Sequence, residues 1–90
     1  MSRKNKLYKR ILNNQKNVSF EDFVLILEAF GFVHSRTNGS HFVYRHEAVK
    51  ESVSIQSDSG QAKPYQIRQF LKLVEAYNLK MKTQDEDTSE

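Results

Sequence analysis

Hydrophobic positions recur along the chain with two different periods, and the change of period divides it into elements. From Lys4 to Leu12, the residues Leu7, Tyr8, Ile11 and Leu12 share one helical face. Asn13 and Asn14 end that helix, because Asn is a poor helix former and a good turn residue. A second helix is predicted over 20–30, with Phe20, Phe23, Val24, Leu27 and Phe30 as its apolar stripe. Ser19 is its expected N-cap, Asp22 stands in the reciprocal position of a capping box, and Gly31 is the expected stop. The period then falls to two. Phe32–Thr37 and Ser40–Arg45 read as strands, joined by Asn38-Gly39, a pair suited to a tight turn with positive φ at both central positions. After a polar connection over His46–Glu51, the run Ser52-Val53-Ser54-Ile55-Gln56 alternates polar and apolar, as a strand with one dry face does. Ser57–Ala62 reads as a loop containing Gly60. The last helix begins near Pro64, buries Ile67, Phe70, Leu71, Val74 and Tyr77, and fades at Asn78.

The order is helix, helix, strand, strand, strand, helix, which defines an α+β class. A three-stranded antiparallel sheet with the helices packed on one face is the simplest way to bury these stripes. The α-β-β-β-α core resembles a double-stranded-RNA-binding domain, with an extra short helix before it. No helix remains for the second face of the sheet, which must meet solvent or a ligand. The chain divides into a basic segment 1–17, a domain 18–79, and an acidic tail 80–90 expected to be disordered.

Composition sharpens this picture in two respects. Cysteine is absent, which excludes disulfides, cysteine metal sites and thiol catalysis. No apolar run approaches the ~20 residues of a membrane span, and no apolar stretch follows the basic N-terminus as in a secretory signal, so a soluble, cytoplasmic protein is expected. The net charge of +3 hides an asymmetry. Residues 1–18 carry Arg3, Lys4, Lys6, Lys9, Arg10 and Lys16 and no acid, whereas 83–90 carry Asp85, Glu86, Asp87 and Glu90 and no base. Without that tail the balance of residues 1–82 is +7. Such a body suits a polyanion such as RNA, although a solvated lysine-rich surface accounts for the charge equally well.

Candidate chemistry gathers where the hairpin turn enters the second strand, at Gly39-Ser40-His41. Gly39 permits a tight backbone and leaves open space above it. Strand alternation sets His41, Val43 and Arg45 on one face and Phe42 and Tyr44 on the other. If the aromatics meet the helices, His41 and Arg45 point outward. Histidine titrates near neutrality, so an exposed imidazole can take or give a proton. RNA supplies its own nucleophile in the 2′-hydroxyl, and Arg36, Arg45 and Lys63 are candidates to hold phosphate charge. The scheme requires no metal or other cofactor. His34 and His46 read as structural or incidental, and Ser40, with no triad partners evident, as a turn or phosphate-contacting residue.

The ordered set Val18-Ser19-Phe20-Glu21-Asp22, Leu27-Glu28-Ala29-Phe30-Gly31-Phe32, Arg36, Gly39-Ser40-His41-Phe42-Val43-Tyr44-Arg45-His46, Lys63-Pro64 and Ile67-Arg68-Gln69-Phe70-Leu71 resembles the HicA toxins. The likeness spans about residues 18–77. It implies a messenger-RNA interferase of a toxin–antitoxin pair, with His41 catalytic and a HicB-type antitoxin as the partner that covers the His41 face. Many members carry a Pro-x-His run after the third strand; here those positions read Gln56-Ser57-Asp58. Three functions stay open on the residues alone. One is a metal-independent endoribonuclease using His41, with Arg36, Gly39, Ser40, Arg45 and Lys63 on RNA. Another is a non-catalytic RNA-binding module using the same face. The third is a protein-interaction domain docking a partner on the open sheet.

Overall fold

The computed structural model describes residues 3–81. The elements are α1 (Arg3–Asn13), α2 (Phe20–Ala29), β1 (Val33–Asn38), β2 (His41–Arg45), β3 (Val53–Ile55), β4 (Ser57–Asp58), β5 (Gln61–Ala62) and α3 (Pro64–Ala76). The main sheet is antiparallel in the order β1-β2-β3. The α+β class and the α-β-β-β-α core expected from the hydrophobic pattern are therefore the ones observed. Of the acidic tail 80–90, expected to be disordered, residues 82–90 lie outside the described residues.

Local chemistry fixes the helix ends. Ser19 caps α2, its hydroxyl accepting from the Asp22 N–H at 3.0 Å. Such a cap is worth about 1 kcal/mol. At the other end Gly31 has φ 94°, and the N–H groups of Gly31 and Phe32 return to the carbonyls of Glu28 and Leu27. Those two bonds form a Schellman motif. The end of α3 repeats it with Asn78 at φ 53°, where the N–H groups of Asn78 and Leu79 return to Glu75 and Val74. Asn adopts this left-handed conformation more readily than most side-chain-bearing residues, which is why the helix stops there.

The core lies between the helices and one face of the sheet. Phe70 of α3 sits at its centre, edge-on to Phe23, Phe30 and Phe32 at ring separations of 5.5 to 5.7 Å. Val53 and Ile55 of β3 are fully buried beneath it. Each such side chain contributes roughly 1.5–3 kcal/mol on burial. Helix α1 adds Leu7 and Ile11, while Tyr8 meets the Phe30 ring at 5.0 Å. Leu12, expected on the buried stripe, is half exposed. Two helical stripes also extend beyond the expected residues: Ile26 of α2 and Leu73 of α3 are buried.

Two local expectations are corrected. The hairpin turn is Gly39-Ser40, not Asn38-Gly39, since Asn38 pairs with His41 as the last rung of the ladder. Gly39 has φ 65° and Ser40 has no positive φ, the pattern of a II′ turn with glycine first. The segment expected to be a plain loop is a small hairpin, with Ser57 paired to Ala62 and Asp58 to Gln61. It docks on the entry to α2: Ala62 donates to the Val18 carbonyl at 2.8 Å and Phe20 to that of Gly60 at 3.0 Å.

Candidate nucleic-acid interface

Register defines the open face. Phe42 pairs with Ile55 and Tyr44 with Val53, so these four share the face beneath the helices. Phe42 meets the Phe20 ring at 5.5 Å, which confirms its side. The residues between them, His41, Val43 and Arg45, take the opposite face. Ser54 joins them from β3, opposite Val43.

Strand β1 contributes by an irregularity. His34 pairs with Tyr44 and Arg36 with Val43, so two steps on β1 match one step on β2 and Ser35 is the extra residue of a β-bulge. Simple alternation puts His34 and Arg36 on one face. The bulge separates them: His34 stays with Tyr44, and Arg36 turns to the face of Val43. Arg36 is then diagonal to both His41 and Arg45, a separation of about 7–8 Å between backbones. A hydrogen bond of 2.9 Å between His34 Nε2 and Thr37 Oγ1 clips the bulge, and the His34 ring lies against Phe42 and Tyr44.

Val43 is 7% exposed yet belongs to no part of the core cluster. Its neighbours in register are Arg36, Ser54, His41 and Arg45. Long side chains around a β-branched residue shield it with their stems while their charged ends stay in water. Val43 thus shares its face with two arginines and a histidine. Arg36, His41 and Arg45 are exposed, and none of their side chains has an ion-pair or hydrogen-bond partner among the described residues.

The other candidate residues take distinct places. Gly39 and Ser40 form the turn beside His41, and a Cβ on Gly39 meets nothing within 4 Å. Lys63 lies off the main sheet, as the N-cap residue of α3, with its carbonyl accepting from Gln66 and Ile67. His46 is buried at the end of β2, its Nδ1 accepting from the Ala48 N–H at 2.9 Å and its ring edge-on to Phe32 at 5.1 Å. It organises the turn into the 46–52 connection, as its structural reading implied. Tyr44 faces the helices, where burial and then the Glu28 carboxylate hold its hydroxyl above the ordinary tyrosine range.

One residue at this site was not singled out from the sequence. Gln56 follows Ile55 directly, its Nε2 donates to Ser40 Oγ at 3.3 Å, and its backbone N–H donates to Gln66 Oε1 at 2.9 Å. The alternation Ser52, Ser54, Gln56 had already set it on the polar side of β3. What the alternation lacked was the register that brings it next to the Gly39-Ser40 turn.

The fold and this face together define a small α+β domain with a cationic, uncovered sheet surface and a single exposed histidine on it. The family described as "HicA toxin of bacterial toxin-antitoxin" matches residues 20–75, from the start of α2 to the last turn of α3. The chain belongs to the HicA toxin family, and is thus a toxin of a toxin–antitoxin system. Helix α1 precedes the matched segment. Comparison with curated proteins and with solved structures yields no match.

Proposed function

We propose that this toxin is a metal-independent endoribonuclease acting on messenger RNA, with His41 as its general acid–base. The observation that supports this reading is the juxtaposition of exposed His41, Arg36 and Arg45 on the sheet face opposite the one that meets the helices. A neutral imidazole accepts the proton of the substrate's 2′-hydroxyl as that oxygen bonds to phosphorus. The bond from phosphorus to the 5′-oxygen breaks, and the leaving oxygen takes a proton from the imidazolium or from water. The products are a 2′,3′-cyclic phosphate and a 5′-hydroxyl. Since the nucleophile belongs to the RNA, no metal is required to generate one. Arg36 and Arg45 neutralise the charge that grows on the phosphorane oxygens, Gly39 and Ser40 keep the approach open, and Lys63 adds a more distant phosphate contact. The partner implied by the family is an antitoxin; a HicB-type protein covering the His41 face blocks RNA directly. The site of action is the cytoplasm.

The test is expression of wild type and His41→Ala side by side, with mapping of RNA 5′ ends and a thermal melt of each purified protein. The variant is expected to melt as the wild type does while losing growth arrest and new 5′ ends. Undiminished toxicity from folded His41→Ala would falsify the catalytic role. A second reading, a module that binds RNA without cutting it, is favoured by one feature: no second acid–base side chain stands in register with His41 among the described residues. Tight, salt-dependent binding by purified wild type with no cleaved product selects that reading.

A further inference from the structure

We propose that Gln56 is a further member of this site, an amide that donates to a phosphate oxygen beside His41. The inference rests on the reading that the open sheet face binds RNA.

Gln66 is one of two buried polar side chains among the described residues, 3% exposed in the first turn of α3. Burying an amide is costly unless it is hydrogen-bonded, and this one is used: its Oε1 accepts from the backbone N–H of Gln56 at 2.9 Å, and its Nε2 reaches the Tyr65 hydroxyl at 3.4 Å. The rigid helix thereby fixes the backbone of Gln56 just where β3 ends. Gln56 stands one position past the Phe42–Ile55 pair, and the corresponding position on β2 is His41. From there its side chain reaches Ser40 Oγ at 3.3 Å.

Chemistry gives this placement a use. A glutamine amide nitrogen carries two N–H donors. Ser40 takes one, which holds the side chain at the turn, and the second remains for an external acceptor. A donor fixed before substrate arrives needs no reorganisation when negative charge develops nearby, which is the requirement for stabilising a transition state electrostatically. Asn38, directly opposite His41 on β1, completes a neutral polar rim around the imidazole. Arg36 and Arg45 supply charge; Gln56 supplies a positioned dipole from the other strand.

The substitution Gln56→Ala tests this cleanly. Alanine retains the backbone N–H, so the bond to Gln66 and the fold persist, and only the side-chain amide is lost. The first measurement is NMR of the wild-type chain titrated with a mixed-sequence RNA that is 2′-O-methylated throughout, which binds and cannot be cleaved by 2′-hydroxyl attack. The Gln56 side-chain NH2 signals are expected to move together with those of the His41 ring. Movement of His41 without Gln56 overturns this inference and leaves the proposed interface standing. Movement of neither, or no binding at all, overturns both. The second measurement is cleavage of the unmodified RNA by wild type and Gln56→Ala. The variant is expected to lose roughly 10²-fold in rate at saturating RNA with little change in KM, as for removal of one oxyanion donor. An unchanged rate overturns a transition-state role for the amide. A wild type that shows both NMR movements but no cleavage retires the nuclease reading and keeps Gln56 as an RNA-contacting residue.

Discussion

Arg36 stands directly across from Val43, although His34, two residues earlier, stands across from Tyr44. One unmatched residue, Ser35, therefore turns a guanidinium from the helix side of the sheet to the side that carries His41. The expected consequence is electrostatic. Arg36→Ala should weaken RNA binding across sequences and lower the slope of log affinity against log salt by about one. Binding measured at several salt concentrations reads this out. An unchanged slope places Arg36 away from phosphate.

Gln66→Leu removes a buried acceptor and leaves the Gln56 N–H without its partner. The expected loss of stability is about 1–3 kcal/mol, because a desolvated donor left unpaired costs more than a typical hydrogen bond contributes. Chemical denaturation measures it. A variant as stable as wild type means that water or a shift of the β3 end satisfies the donor.

Gly39→Ala meets no steric obstacle, since a Cβ there finds nothing within 4 Å. Its φ of 65° is the difficulty. Holding an L-residue in the left-handed region costs about 1–2 kcal/mol, so the variant should be folded but less stable by that amount. Asn at this position should cost less than Ala, and comparison of the two melts with that of wild type measures the backbone strain.

Tyr77 donates to Glu51 Oε1 at 2.6 Å, joining the end of α3 to the connection before β3. The bond from Tyr77, helped by a backbone hydrogen bond, lowers the Glu51 carboxyl below the ordinary value of 4.5. The bond to Glu51 likewise raises the Tyr77 hydroxyl above 10.0. A lowered carboxyl contributes stability that is present above its unfolded value and lost as pH falls through the folded one. A raised phenol contributes stability that is present below its unfolded value and lost as pH rises through the folded one. The thermal midpoint of wild type should therefore decline below 4.5 and above 10.0 more than that of Tyr77→Phe. Both groups are exposed, so the effect is small, and parallel profiles would show that solvent screens it entirely.

Much of the fold was legible in residue order because local rules govern it. Ser19 and Gly31 mark α2 through cap chemistry that acts within four residues, and both perform as expected. The stripes of α2 and α3 marked the core, and Phe70 proved to be its centre. The II′ turn was misplaced by one residue because Asn-Gly and Gly-Ser are both good turn pairs, and only the β1–β2 ladder chooses between them. The hairpin of β4 and β5 was missed because strands of two residues carry no periodicity; its pairing is sustained by contact with Val18 and Phe20, distant in the chain.

By itself the sequence determined the class of fold, the family, and the exposed histidine, since periodicity, capping and an ordered set of motifs are properties of neighbours along the chain. Tertiary structure alone decided which groups share the face of that histidine. Arg36 joins its face through a bulge that alternation cannot foresee, and Gln56 through a buried amide on a helix ten residues away. Lys63, equally plausible as a residue type, stands off that sheet at the head of α3. The physical reason is that register and bulges are settled by pairing energies summed across strands, a quantity no single stretch of chain contains.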